Sequence, residues 1–60
     1  MTRPERPDLR VGDVVRVGRE TRTVIRVPIW VDTRWRVLTR GEDFEQYVDT
    51  DKLRLVAREG

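Results

Sequence analysis

Apolar and polar residues alternate with a period of two along several short segments of this sequence. Val15 and Val17 fall on one face of such a segment, and Arg16 falls on the other. Between residues 21 and 27 the alternation separates Thr23, Ile25 and Val27 from Arg22, Val24 and Arg26. Since β-branched residues fill many of these positions, the pattern favours strands over a helix.

Turn-forming residues divide the chain into five predicted strands. These are residues 14–17, 21–27, 35–39, 44–48 and 53–56. Pro28 has no amide hydrogen, so it ends the second strand or lies at a bulge. Gly41 begins a hairpin turn, and Asp49 caps a single 3₁₀ turn before the last strand. The predicted fold class is all-β, a five-stranded small barrel or partly open sheet.

The length of 60 residues limits the chain to one domain with a thin core. Residues 1–8 contain two prolines and alternating charges, so they are predicted to form a flexible N-terminal arm. The barrel itself is predicted over residues 9–57, followed by a short tail at residues 58–60.

Missing residue types exclude several kinds of chemistry. The sequence contains no Cys, His or Ser, which removes disulfides, thiolate chemistry and the usual general base. A group of acidic residues has a spacing that matches no calcium loop, and turn and cap roles account for several of them. They are Glu42, Asp43, Glu45, Asp49 and Asp51. We therefore expect no catalytic residue, no metal and no cofactor.

Apolar runs in the chain are far shorter than the roughly 18 residues that span a bilayer. The start of the sequence also has no apolar signal region. From these two features we expect a cytoplasmic protein that does not bind membranes, either a monomer or a homodimer.

Four segments together resemble the SH3-like small barrels, especially the Tudor and KOW types. They are VGDVVRVG, RTVIRV, WRVL and EQYVDTDKLRLV, which lie within residues 11–56. In this family a Gly-Asp pair opens the first strand, and a polar 3₁₀ turn precedes a final Leu-x-Leu-Val strand. The KOW pattern also has a glycine between Gly18 and Val24 that this chain lacks. The resemblance implies an SH3-like barrel, a fold that carries nucleic-acid binders, peptide readers and modules of ribosomes and polymerases.

Basic residues are unevenly distributed, and twelve of the thirteen are arginine. If the predicted alternation holds, one set of arginines points away from the core on consecutive strands, where it could neutralise phosphates. This set is Arg16, Arg22, Arg26, Arg34 and Arg36. The alternative is a GC-rich genome, for example that of an actinobacterium or its phage, which fills outward positions with arginine.

The stretch VPIWVDTRW contains both tryptophans. Trp35 shares the parity of Val37, which predicts a core position. Trp30 has the opposite parity to Ile29 and Val31. Either the second strand continues past Pro28 with Ile29 buried and Trp30 at the barrel rim, or an apolar-tipped loop projects here. An exposed tip would be a protein-binding site formed by Ile29, Trp30 and Val31.

These observations predict a small non-enzymatic binding module whose first candidate partner is nucleic acid or a nucleoprotein machine. The alternative is a protein-interaction module, such as a phage or host accessory factor that docks through the Trp30 region. A remote alternative is an oligomeric enzyme, because Phe44-Glu45-Gln46-Tyr47 faintly resembles the pore motif of the small plasmid-borne dihydrofolate reductases. An aromatic cage for methylated side chains is a further, weaker interpretation of the four aromatic residues.

Overall fold

A computed structural model describes residues 3–58 of the chain, which form six β-strands and one 3₁₀ turn. The strands are β1 (Val14–Val17), β2 (Glu20–Val24), β3 (Ile29–Val31), β4 (Arg34–Arg40), β5 (Glu45–Asp49) and β6 (Leu53–Ala57), and the 3₁₀ turn spans Thr50–Lys52. All strands belong to one curled sheet that resembles a half-barrel. The predicted all-β fold class is confirmed, with six strands in place of five.

Strand β4 is the centre of the sheet, and every strand pairing is antiparallel. One side of β4 pairs with β3 and then with β2, and its other side pairs with β5. Strand β1 lies between β2 and β6. Within the described residues, three strands have a single neighbour: β3 and β5 each pair only with β4, and β6 pairs only with β1.

The sixth strand arises because the predicted second strand is split at Pro28. Strand β2 ends at Val24, and β3 begins at Ile29. Between them, the backbone amide of Ile25 still donates a hydrogen bond to the carbonyl of Leu38 at 3.0 Å. Pro28 is buried at the break. The chain thus continues past the proline as a strand, as in the first of the two alternatives, but Ile29 is 40% exposed and not buried as that alternative required.

Four valines form the apolar core: Val15, Val24 and Val37 have no exposed surface, and Val48 is 8% exposed. Cross-strand pairing brings Val37 opposite Val48. Partly buried Leu9, Val17 and Leu53 pack around this cluster. The interior is therefore small, and polar groups complete it.

The inward and outward faces of β2 are the reverse of those predicted. Arg22 and Val24 point inward, and Thr23 between them is exposed. Register explains this orientation, because Arg22 pairs with the fully buried Val15 on β1. The alternation in this segment was predicted correctly, whereas the outward orientation of Arg22 was wrong.

The two tryptophans pack against each other at one end of β4. Trp30 and Trp35 are cross-strand partners, and their rings meet edge to face with centroids 5.3 Å apart. Both side chains are partly buried. The core position predicted for Trp35 is wrong: Trp35 lies near the start of β4, outside the buried cluster of Val15, Val24 and Val37. The partial exposure predicted for Trp30 is confirmed.

Residues 3–10 form no strand or helix, and two of their contacts attach them to the barrel. The indole nitrogen of Trp35 donates a hydrogen bond to the carbonyl of Pro4 at 3.1 Å, and Leu9 packs against the core. The flexibility predicted for residues 1–8 stays a prediction. Residues 1–2 of this arm and residues 59–60 of the predicted tail lie outside the described part of the chain.

The buried carboxylate of Asp13 joins the two ends of the barrel. Asp13 is 2% exposed, and one of its oxygens accepts a hydrogen bond from the backbone amide of Arg10 at 2.9 Å. Arg58, just after β6, donates to the same oxygen at 3.0 Å. The backbone carbonyl of Asp13 accepts from the amide of Val24 at 2.8 Å. Hydrogen bonds from Arg58 and from the Arg10 amide lower the pKa of Asp13.

Replacement of a core valine is expected to destabilise the domain strongly. Val37→Ala removes two methyl groups from a site with no exposed surface, and the expected cost is about 2–4 kcal/mol in the free energy of unfolding. Val31→Ala, at a position that is 37% exposed, is the matched control and is expected to cost well under half as much. Urea denaturation measures both values, and equal effects would contradict the assignment of the core.

The turn between β3 and β4 offers a stabilising substitution. Asp32 and Thr33 form a two-residue hairpin turn with φ of 52° and 62°, a left-handed conformation that a β-branched residue rarely adopts. Thr33→Gly relieves this strain and is expected to raise the free energy of unfolding by about 1 kcal/mol. Thr21→Gly, at an exposed strand position, should instead destabilise the domain. Thermal unfolding measures the stability of the two variants. A loss of stability in both would contradict the left-handed conformation of the turn.

The Asp13 carboxylate is expected to make stability depend on acid. Because its folded pKa lies below the ordinary value of 3.8, its contribution is complete above about pH 4 and disappears as the pH falls through the lower folded pKa. Asp13→Asn should therefore lower the melting temperature at neutral pH, and the difference from the parent chain should shrink below about pH 3. Exposed Asp43→Asn is the control. A deficit that stays constant down to pH 2 would contradict the ion pair.

Candidate nucleic-acid interface

The five arginines predicted to share an outer surface lie in separate places. Arg16 is exposed on β1, and Arg26 is exposed in the connection between β2 and β3. Arg34 and Arg36 lie on β4, and Arg22 points into the interior. The pairing of β2 with β4 involves only residues 23–24 of β2, so Arg16, which pairs with Thr21, lies away from the arginines of β4.

Two of these arginines share the single carboxylate of Asp49 at the end of β5. Arg34 donates to one carboxylate oxygen at 3.0 Å, and Arg36 donates to the other at 3.1 Å. Burial alone would raise the pKa of Asp49, but the hydrogen bond from Arg34 and the neighbouring positive charges outweigh burial and lower the pKa. Asp49 occupies the N-cap position of the 3₁₀ turn as predicted, but its side chain makes no capping hydrogen bond. Its carboxylate binds arginine instead.

The outer face of β4 and β5 repeats this pairing further along. Arg40 lies opposite Glu45, and their side chains form a salt bridge at 3.2 Å. Between the two charged pairs, Leu38 lies opposite Tyr47, which is 47% exposed. Salt bridges between the arginines of β4 and the acidic residues of β5 thus favour this register of the two strands.

Arg22 is a structural residue of the barrel interior and is only 7% exposed. Its guanidinium donates to Gln46 at 2.9 Å and to Glu20 at 3.3 Å. The ring of Phe44 lies against it, with 4.9 Å between the guanidinium carbon and the ring centroid. A side chain at Gly41 would come within 2.7 Å of that ring, so the glycine leaves room for Phe44 to cover the arginine.

Three basic residues on neighbouring strands form what we term the β1–β6 basic surface: Arg16, Lys52 and Arg54. Arg16 and Arg54 are direct cross-strand partners, and Lys52 ends the 3₁₀ turn that leads into β6. All three are exposed, and none of them forms a salt bridge with another residue in the range 3–58. They line a shallow groove of about 650 Å³, together with Asp51.

Sequence analysis missed two members of this surface. Alternation in Leu53-Arg54-Leu55 indicates that Arg54 points away from the leucines, but only the pairing of β6 with β1 brings it opposite Arg16. That pairing joins residues 38 positions apart and leaves no local signal. Two like charges directly opposite each other destabilise a sheet. The pair of Arg16 and Arg54 is therefore the least compensated of the cross-strand pairs described above.

The residues predicted to bind a protein partner divide between the two faces of β3. Ile29 is 40% exposed and Val31 is 37% exposed on the outer face, opposite Arg36 and Arg34. Trp30 points to the other face and packs on Trp35. The structure therefore brings Ile29 and Val31 together and separates both from Trp30.

The acidic residues are dispersed over the barrel. Within the described residues, no group of three or more acidic side chains is placed to hold a metal ion. Residues 3–58 also contain no helix that is long and apolar enough to cross a membrane. Comparisons of this chain with protein-family models, with curated proteins and with solved structures found no significant match.

Proposed function

We propose that this chain is a small non-enzymatic module that binds nucleic acid through the phosphate backbone, using the β1–β6 basic surface. The observation that carries the proposal is the direct pairing of Arg16 with Arg54, since neither guanidinium forms a salt bridge within residues 3–58. Every other cross-strand arginine described above has a carboxylate or an amide oxygen as its partner. A bound phosphate would supply the missing negative charge.

Physical chemistry favours phosphate as the ligand of this surface. A guanidinium presents a planar set of donors that matches phosphate oxygens, and Arg16 and Arg54 lie on adjacent strands about 4.8 Å apart. Each phosphate that they neutralise releases counterions from the nucleic acid. Three cations therefore support an affinity that falls steeply with salt, which is the behaviour of backbone binding.

The groove chemistry also supports binding that is independent of base sequence. Its lining consists of Arg16, Gly18 and residues 51–56, and none of these side chains is aromatic. Stacking on unpaired bases needs aromatic rings beside the cations. The proposal is therefore contact with sugar and phosphate in either DNA or RNA, without readout of base edges.

A protein partner is the second candidate, and it would use a different surface. Ile29, Val31 and Tyr47 are exposed apolar residues on the outer face of β3, β4 and β5. An exposed apolar face beside the charged pairs of Asp49 suits a protein better than a nucleic acid. Substitutions on this face and on the β1–β6 basic surface distinguish the two candidates.

Two double variants, each with a pair of arginines replaced by glutamine, test the proposal. Fluorescence anisotropy measures their binding to random-sequence DNA and RNA. The variant Arg16→Gln/Arg54→Gln should weaken binding at low salt about tenfold or more and reduce the slope of log affinity against log salt by about 1.8. Arg34→Gln/Arg36→Gln removes the same charge from two arginines that both bind the Asp49 carboxylate, so its effect should be smaller. Absence of binding by the parent chain at low salt, or equal losses in both variants, would refute the proposal.

A further inference from the structure

Residues from the start of the chain lie against the indole of Trp35. Its nitrogen donates a hydrogen bond to the carbonyl of Pro4 at 3.1 Å, and the guanidinium carbon of Arg3 lies over the ring, 5.4 Å from its centroid. Trp30 packs edge to face against the same ring. An indole offers a π face to cations and a single hydrogen-bond donor. An arginine and a backbone carbonyl therefore use both of these features of Trp35.

The segment that makes these contacts is attached to the barrel at its other end by Leu9, which packs against the valine core. Between the two attachments, Glu5 and Arg6 are exposed. None of the hydrogen bonds or salt bridges within the described part of the chain involves either residue. We term residues 3–7 the strap, since they are fixed to the barrel only at their two ends.

The contacts between the strap and Trp35 are weak enough to be reversible. Arg3 and Pro4 are both exposed, and cation–π contacts and hydrogen bonds at exposed sites contribute little because water competes for the same groups. Together they favour the closed strap over an open one by a factor on the order of ten. No strand includes residues 3–7, so the strap can open while the sheet stays intact.

Both tryptophans lie outside the buried cluster of core valines. They therefore contribute less to the core than their size would allow. Tryptophan is among the side chains that most often dominate the energy of a protein interface. A pair of tryptophans covered by two weak contacts is thus better suited to an exchangeable ligand than to permanent packing.

We propose that Trp30 and Trp35 form a binding site for an arginine-bearing peptide of a partner protein, and that the strap is a built-in competitor for this site. The strap defines the chemistry of the ligand: a cation over the Trp35 ring and, one residue later, a carbonyl that accepts from the indole. The sequence contains the dipeptide Arg-Pro twice within the strap, but only the first copy contacts Trp35. The second copy supplies a matched control.

Competition with the strap sets a threshold for the partner. When the open state is the minor one, the apparent affinity of a ligand falls by the fraction of chains that are open, here about tenfold. A peptide that offers only a cation and a carbonyl therefore binds weakly, and a partner with additional contacts displaces the strap. Any change that releases Arg3 raises the affinity without altering the tryptophans.

This site is separate from the β1–β6 basic surface. Trp30 and Trp35 lie on β3 and β4, and neither of these strands pairs with β1 or β6. It is also separate from Ile29 and Val31, which lie on the opposite face of β3. Binding of a peptide to the tryptophans does not rest on the proposed function, and its tests contain no nucleic acid.

Hydrogen exchange of the Trp35 indole N–H, followed by NMR, tests the strap in the full chain. Arg3→Ala removes the cation from the ring and favours the open state, so this proton should exchange about two- to fivefold faster than in the parent. Arg6→Ala removes the same charge from the same segment without loss of a contact to Trp35, and it should leave the rate unchanged. Equal rates in the two variants would overturn the strap.

A capped synthetic peptide that copies residues 3–7 tests the site in trans. A short tether gives an effective concentration in the millimolar range, so millimolar peptide should compete with the strap and shift the Trp35 indole signal. Its affinity for the Arg3→Ala chain should exceed that for the Arg6→Ala chain by about two- to fivefold. The same peptide with alanine at both arginine positions is the control and should cause no shift. Absence of a shift in the Arg3→Ala chain at about 10 mM peptide, or equal shifts with the two peptides, would overturn the site.

Discussion

Asp13 brings a negative charge into the interior of a barrel whose apolar core is four valines. A buried carboxylate is costly unless hydrogen bonds and opposite charge compensate it. Its partners come from the segment before β1 and from the residue after β6, so the compensation can exist only when the two ends of the chain meet. The backbone of the same residue bonds to the end of β2. One polar group therefore closes a domain that has too little apolar surface to close by burial alone.

The same requirement for compensation divides the arginines of this chain into two groups. Arg22, Arg34, Arg36 and Arg58 hold polar partners and act as parts of the fold. Within residues 3–58 the cross-strand pair of Arg16 and Arg54 has no salt-bridge partner, and this pair carries the proposed binding of phosphate. A high content of arginine is thus no measure of binding surface, because the partners of each guanidinium decide its role.

Local patterns in the sequence were sufficient to predict most strands. The predicted bounds of β1 were correct, and β4, β5, β6 and the 3₁₀ turn were each found within one residue of their observed ends. Alternation with a period of two depends on neighbouring residues alone, which is why these elements could be predicted. The break at Pro28 was foreseen as an alternative.

Long-range partners explain what the sequence could not predict. Arg22 was assigned to the surface because it is charged, but Gln46 and Phe44 compensate it inside, and both belong to the opposite half of the chain. Asp13 belongs to the Gly-Asp pair before the first strand, and the arginine that compensates its buried charge is 45 positions away. The pairing of Arg16 with Arg54 has the same origin. Spacing along the chain carries no information on such contacts, because they follow from strand pairing.

Hydrogen exchange of backbone amides measures most directly whether Asp13 closes the barrel. The amide of Arg10 lies outside every strand, and its hydrogen bond goes to the Asp13 carboxylate. If that carboxylate joins the chain ends to the core, the Arg10 amide should exchange as slowly as the amide of Val24 in β2, through global unfolding. Exchange of the Arg10 amide at the rate of an unstructured peptide, while Val24 stays protected, would contradict this account.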